Sequence, residues 1–180
     1  MDINVDELVQ EAEDLGRISE QLRLEQLVAA HRRQEAILSL HALGLSIRDI
    51  AKRIHSSPAV VQASLKSARS RRPHLVRREE RIPFELHIQL SLKLHADEEK
   101  IRSIGRAGVK KMRERPRSSV ADEWVDKWDQ LLGRPVAEID EAMLEDSPFA
   151  TELRQMSPFA GALSDQERLI AIKKAAAFAP

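Results

Sequence analysis

The chain has no cysteine and no tyrosine, and aromatic residues make up only 3% of its 180 positions. Without cysteine there is no disulfide, no thiolate nucleophile and no thiolate metal ligand, and nothing calls for an oxidising compartment. Six glycines and eight prolines are too few for a turn-rich sandwich or barrel. No apolar run approaches the ~18 residues of a membrane-spanning helix. The acidic start, Met1 to Glu7, lacks the basic and apolar regions of a secretory signal. What is abundant is charge, at 32% of residues. That composition predicts an all-α fold in a cytoplasmic protein long enough to bury a real core.

The formal net charge is zero, but it is unevenly spread. Residues 1–30 carry two arginines against eight acids, a sum of −6. Residues 31–82 carry twelve cations against four acids, giving +8, and residues 83–117 carry nine against five, giving +4. Residues 118–180 return to −6, with six cations against twelve acids. A basic centre between acidic ends predicts an anion-binding middle.

Within that centre, residues 44–65 read as two short helices joined by a tight turn. Ser46 caps the first, and Ser57 followed by Pro58 is a cap and first-turn proline for the second. Ile47, Ile50, Ala51 and Ile54 share one face of the first helix, and Val61 and Leu65 share one face of the second. Ala51 is small enough to let the two helices cross closely. The run Lys66-Ser67-Ala68-Arg69-Ser70-Arg71-Arg72 follows, and Arg72-Pro73 closes the second helix.

Elsewhere the periodicity predicts helices over about 2–15, stopped at Gly16, and 18–43, stopped at Gly44. Ile3, Leu8, Leu22 and Leu27 on these helices either pack within the chain or support a homodimer. His74 to Arg81 reads as a charged link. Phe84, Leu86, Ile88, Leu90, Leu92 and Leu94 alternate as in a strand, yet they also form two i, i+4 ladders. Four of the six are leucine and no partner strand is visible, so the reading is helix. Further helices are expected over 98–115, from Ser118 or Ser119 to Gly133, over 135–145 and over 149–156. Gly105 and Gly108 on the first of these would allow a close crossing. Ser164 and Glu167 form a capping-box pattern for a last helix ending near Phe178.

No enzyme constellation is present: there is no glycine-rich phosphate loop and no paired histidines at ligand spacing. No catalytic residue, cofactor or metal site is assigned. His87, His95 and Asp97 lack a third nitrogen ligand, and the acidic clusters 122–129 and 138–145 read as solvated helix faces. Trp124 and Trp128, four residues apart, are either a core anchor or part of a protein interface. The tetrapeptide Ser-Pro-Phe-Ala occurs at 147–150 and 157–160. Its phenylalanines, Phe149 and Phe159, either anchor helical turns or grip a partner.

Residues 44–66 resemble the helix-turn-helix of bacterial transcription factors, including sigma-factor-like and repressor types. The usual glycine of the turn is replaced by His55, which tolerates positive φ better than most side chains, and the usual apolar residue after it by Ser56. The resemblance implies that the second helix enters the major groove. Ser57, Ala59, Gln62, Ala63 and Lys66 would then face DNA, with Gln62 reading a base, since its amide can pair with adenine. Lys66, Arg69, Arg71 and Arg72 would meet phosphate or flanking bases, and Arg48, Lys52 and Arg53 would contact the backbone. Residues 124–133 and 152–163 are similar to helical segments of small actinobacterial DNA-binding regulators, some of which resemble antitoxins. The expectation is thus a DNA-binding domain over 1–82 and a helical partner-binding or oligomerisation domain over 83–180. The function expected is a repressor, possible antitoxin of a toxin–antitoxin pair, with duplex DNA and a toxin bound through 118–180 as partners. The alternatives are a phage-type repressor without a toxin, in which 110–117 also touches DNA, and a helical interaction module that binds no DNA.

Overall fold

The computed structural model describes residues 5–73, 75, 77–114 and 118–177, and these form an all-α structure. The readings that involved Ile3, His74, residues 115–117 and Phe178 fall outside the described residues. Nine helices are present among the described residues: α1 Val5–Ala42, α2 Ile47–Arg53, α3 Pro58–Ser70, α4 Arg78–Ala96, α5 Glu98–Arg113, α6 Ser119–Leu131, α7 Val136–Leu144, α8 Pro148–Gln155 and α9 Asp165–Ala177. None of them is long and apolar enough to cross a membrane.

The expected break at Gly16 does not occur. α1 runs unbroken for 38 residues. Glycine inside a helix costs only about 1 kcal/mol relative to alanine. Side-chain pairs one turn apart, Gln10 with Asp14, Asp14 with Arg17 and Gln21 with Glu25, brace the helix on both sides of it. The true stop is Gly44, at φ 97°. Its N–H donates to His41 O and that of Leu45 to Leu40 O, the paired bonds of a left-handed helix cap.

Residues 84–94 are helical, as the i, i+4 ladders require, within α4. This helix is the centre of the C-terminal bundle, packed against α5, α7, α8 and α9. With neighbours on several sides, both ladders are covered, which is why the sequence shows no single apolar face. α4 begins at Arg78, within the stretch read as a charged link, so Pro83 falls inside the helix. It lies in the second turn, where its missing N–H leaves Glu79 O without the usual donor. Gln155 Nε2 supplies one at 3.4 Å. The domain boundary expected after residue 82 therefore falls inside a helix. α9, from the far end of the chain, also packs on both α4 and α1, so the two expected domains interlock.

The core is in two parts. The larger gathers Leu90, Leu94, Ile101, Val125, Trp128, Leu132, Ile139, Met143, Leu153 and Phe159. Trp128 is fully buried and donates Nε1–H to Leu153 O at 3.0 Å, with Phe159 edge-on to its ring. The two glycines of α5 do allow a close approach, but to a loop. A Cβ on Gly108 would lie 1.8 Å from Pro158 O, and one on Gly105 2.7 Å from Phe159. The second Ser-Pro-Phe-Ala copy is therefore a loop pressed into a glycine notch, whereas the first caps α8 through Ser147. The smaller core joins Ile37 and Leu38 of α1 to Ile50, Ala51, Val61, Leu65 and Ala68 of α2 and α3.

Candidate nucleic-acid interface

The α2–α3 pair forms for the local reasons written in its sequence. Ser46 Oγ accepts from Asp49 N at 3.2 Å, and Ser57 Oγ accepts from Val60 N at 3.3 Å. Between the helices, His55 takes φ 51°, the left-handed conformation that a glycine would normally supply. Its N–H donates to Lys52 O and that of Ser56 to Ala51 O, closing the same cap as at Gly44. The turn is thus built around histidine, and the departure from the common pattern is accommodated without loss of a backbone bond. Ala51 is buried where the helices meet, as the spacing predicted.

The outward faces carry most of the predicted contact residues. Ser57, Ala59, Gln62, Ala63, Lys66 and Arg69 are exposed on α3, and Arg48, Lys52 and Arg53 on α2, while Val61 and Leu65 are buried beneath them. Among the described residues, Arg48, Lys52, Arg53 and Lys66 have no ion-pair partner and Gln62 no hydrogen bond. Gln62, Lys66 and Arg69 line a shallow depression of about 330 Å³ with His41, Ile47 and Leu65. His41 was not singled out in the sequence. It is held there by its Nδ1–H bond to Leu45 O at 3.1 Å, a consequence of the chain reversal after α1.

The end of the basic run behaves differently. Arg71 remains exposed but donates to Gln34 Oε1 at 2.6 Å and approaches Glu35. Arg72 turns inward, and its expected contact with phosphate is corrected by its surroundings. Its guanidinium, 8% exposed, binds Glu35 Oε2 at 2.8 Å, Glu85 Oε1 at 2.5 Å and Ala68 O at 2.6 Å. Lys174 of α9, with no exposed side-chain surface, completes the junction at 2.7 Å from Glu35 and 3.2 Å from Glu85. Two carboxylates and two cations thus neutralise one another where α1, α3, α4 and α9 meet. Burial alone would push the Glu35 carboxyl up, but hydrogen bonds and charge from Arg72 and Lys174 outweigh it and hold the group at about 2. The same two carboxylates keep the Arg72 guanidinium charged against the pull of burial.

The junction fixes the foot of α3 to the bundle. None of its pairings was visible in the sequence, since Glu35 and Lys174 are 139 positions apart. The one available signal was a lysine between Ala171 and Ala175 on the buried face of α9.

The remaining candidates divide. Trp128 and Phe159 are core residues and are withdrawn as partner contacts. Trp124 is half-buried, and it packs against the exposed Phe149 with ring centroids 5.3 Å apart. Lys127 Nζ lies over both rings. His87 and His95 are not neighbours in any site. His87 donates Nδ1–H to Pro83 O at 2.7 Å, its Nε2 lies 3.0 Å from Ser157 Oγ, and its ring stacks near Trp128. Burial is the main cause that depresses its pKa to about 4, so it is neutral and Nε2 accepts from the serine. His95 pairs with Asp140 at 2.5 Å. Compared with known proteins, the chain matches no family profile, no curated protein and no solved structure.

Proposed function

We propose that this chain binds duplex DNA through the outer face of α2 and α3 and acts as a transcriptional repressor. The observation that carries the reading is the set of cations on that face without internal partners. Arg48, Lys52 and Arg53 on α2 and Lys66, one turn from Gln62 on α3, are exposed on two short helices packed on the smaller core. Exposed cations without an ion-pair partner among the described residues suit a polyanion, and α3, 13 residues long, suits the major groove. Gln62 reads a base edge and the cations position the protein on phosphate. The test is binding to the DNA upstream of the protein's own gene, followed by anisotropy across a salt series. Loss of duplex binding at low salt refutes the reading, and binding that does not distinguish this DNA from random duplex refutes the repressor role.

A second reading concerns the C-terminal half. The Trp124–Phe149 pair on α6 and α8, with Phe149 40% exposed, favours a protein partner there. In the antitoxin version that partner is a toxin with a basic surface, which meets the acidic residues of 118–180. A neighbouring gene product that inhibits growth and is captured by the wild type but not by Phe149→Asp is the supporting result. Absence of such a gene counts against the antitoxin version and leaves the DNA reading standing.

A further inference from the structure

Among the described residues, the first half of α1 has no apolar residue buried against a neighbour. Val5, Leu8, Val9, Leu15, Ile18, Leu22, Leu24 and Leu27 are all between 47% and 65% exposed, while Ile37 and Leu38 of the same helix are buried. An amphipathic helix in water owes most of its stability to whatever covers its apolar stripe. We infer that residues 5–22 pair with the same segment of a second copy of this chain, as a short parallel two-stranded coiled coil.

The spacing specifies the kind of partner. Val5, Leu8, Ala12, Leu15, Ser19 and Leu22 follow one another at intervals of three and four, the alternation of a coiled-coil seam. Leu8, Leu15 and Leu22 occupy the equivalent position of three successive heptads. Leucine at that position, with Val5 at the other, favours two parallel strands. Ser19 is the polar residue at the alternate position, of the kind that fixes register at some loss of stability.

Charge placement agrees. The flanking positions that face each other across a parallel pair are Glu11 with Gly16, and Ile18 with Arg23, so no like charges meet. The acids Asp6, Glu7, Glu13, Asp14 and Glu20 all fall on the back of the helix, away from the seam. A partner recognised by charge would dock on that acidic back and leave the seam uncovered. The uncharged seam is matched by another uncharged seam. Beyond Leu22 the apolar residues Leu24, Leu27 and Val28 leave the seam positions of the heptad, so the pairing ends there.

The seam is ~27 Å long at 1.5 Å per residue. Its four large apolar side chains, with Val9 and Ile18 flanking them, cover on the order of 500 Å² per chain, short of the ~800 Å² of a standard interface. The dimer is therefore reversible and its population depends on protein concentration. In this arrangement the two α2–α3 pairs lie toward the same end of the assembly, but the pairing stands or falls without DNA.

Sedimentation of the full chain across a concentration series tests it. The wild type is expected to shift from monomer to dimer, and Leu8→Glu/Leu15→Glu to remain monomeric with an unchanged thermal transition of the bundle. Both leucines are exposed, so the substitution removes no core contact. The absence of cysteine gives an orientation test. Oxidised Leu8→Cys is expected to form a covalent dimer, and Gln10→Cys, on the back of the helix, is not. A wild type monomeric throughout, or a dimer that survives Leu8→Glu/Leu15→Glu, overturns the inference. Crosslinking only in a mixture of Leu8→Cys with Ser19→Cys overturns the parallel arrangement.

Discussion

Lys66 and Arg72 lie six residues apart on one basic run, and the fold uses them in opposite ways. Lys66 is exposed and has no ion-pair partner among the described residues, whereas Arg72 is closed between Glu35 and Glu85 with Lys174 beside it. A surface cation keeps its hydration and is available to an external anion. A buried one is useful only while its neutralising partners stay in place, because a lone charge in a low-dielectric interior is costly. The run therefore divides at the end of α3: one part is offered outward and the other locks the helix to the bundle.

The junction side of this contrast gives the largest expected effect. Lys174→Met leaves Glu35 and Glu85 facing a single guanidinium, and Glu35→Ala leaves two cations without their shared carboxylate. Each should lower unfolding free energy by about 3–5 kcal/mol. Urea denaturation measures it, and a loss below ~1 kcal/mol would show that the charges are not the lock. Acid should act next. The His87 pKa lies at about 4 when folded, against an ordinary 6.5. The folded state resists protonation, so stability falls as pH drops from about 6.5 to about 4, by about 3 kcal/mol. The Glu35 contribution is complete above its ordinary 4.5 and is lost as pH falls from there toward about 2. Denaturation midpoints at successive pH values separate the two, and His87→Gln should flatten only the upper window.

The outer face should leave stability alone. Gln62→Ala is expected to cost about 1–3 kcal/mol of discrimination at one base pair, seen as relaxed preference across a set of single-substitution duplexes. Lys66→Ala should weaken all duplexes to a similar degree and make the salt slope shallower by about 1, with thermal stability unchanged. If Lys66→Ala destabilised the fold as Lys174→Met does, the division of the basic run would be wrong.

Local features of the fold were legible in the sequence because they depend on neighbours a few residues apart. The caps at Ser46, Ser57 and Ser118 all form, as does the reciprocal pair of Ser164 and Glu167. The outward placement of Gln62 and Lys66 followed from the helical spacing of Val61 and Leu65. What depended on distant partners was not legible. Arg71 and Arg72 are adjacent and chemically identical, and the closer contact with Glu35 of α1 and the pairing with Glu85 of α4 set Arg72 apart. Gly16 reads locally as a stop, yet its cost of about 1 kcal/mol is small beside the continuous helix around it. Trp124 and Trp128 share one spacing pattern, yet one is half-buried and the other is the centre of the core, since His87 and Phe159 of the 157–160 loop pack on Trp128 while Trp124 meets the exposed Phe149.

The most direct test is the salt dependence of duplex binding by the wild type and by a variant in which Arg48, Lys52, Arg53 and Lys66 are alanine. With about four phosphates neutralised, log affinity should fall linearly with log salt at a slope of about −3 to −5, and the variant should lose both the affinity and the slope. Duplex that is not retained at low salt, or is bound equally well by the variant, would contradict the claim that this face of α2 and α3 binds DNA.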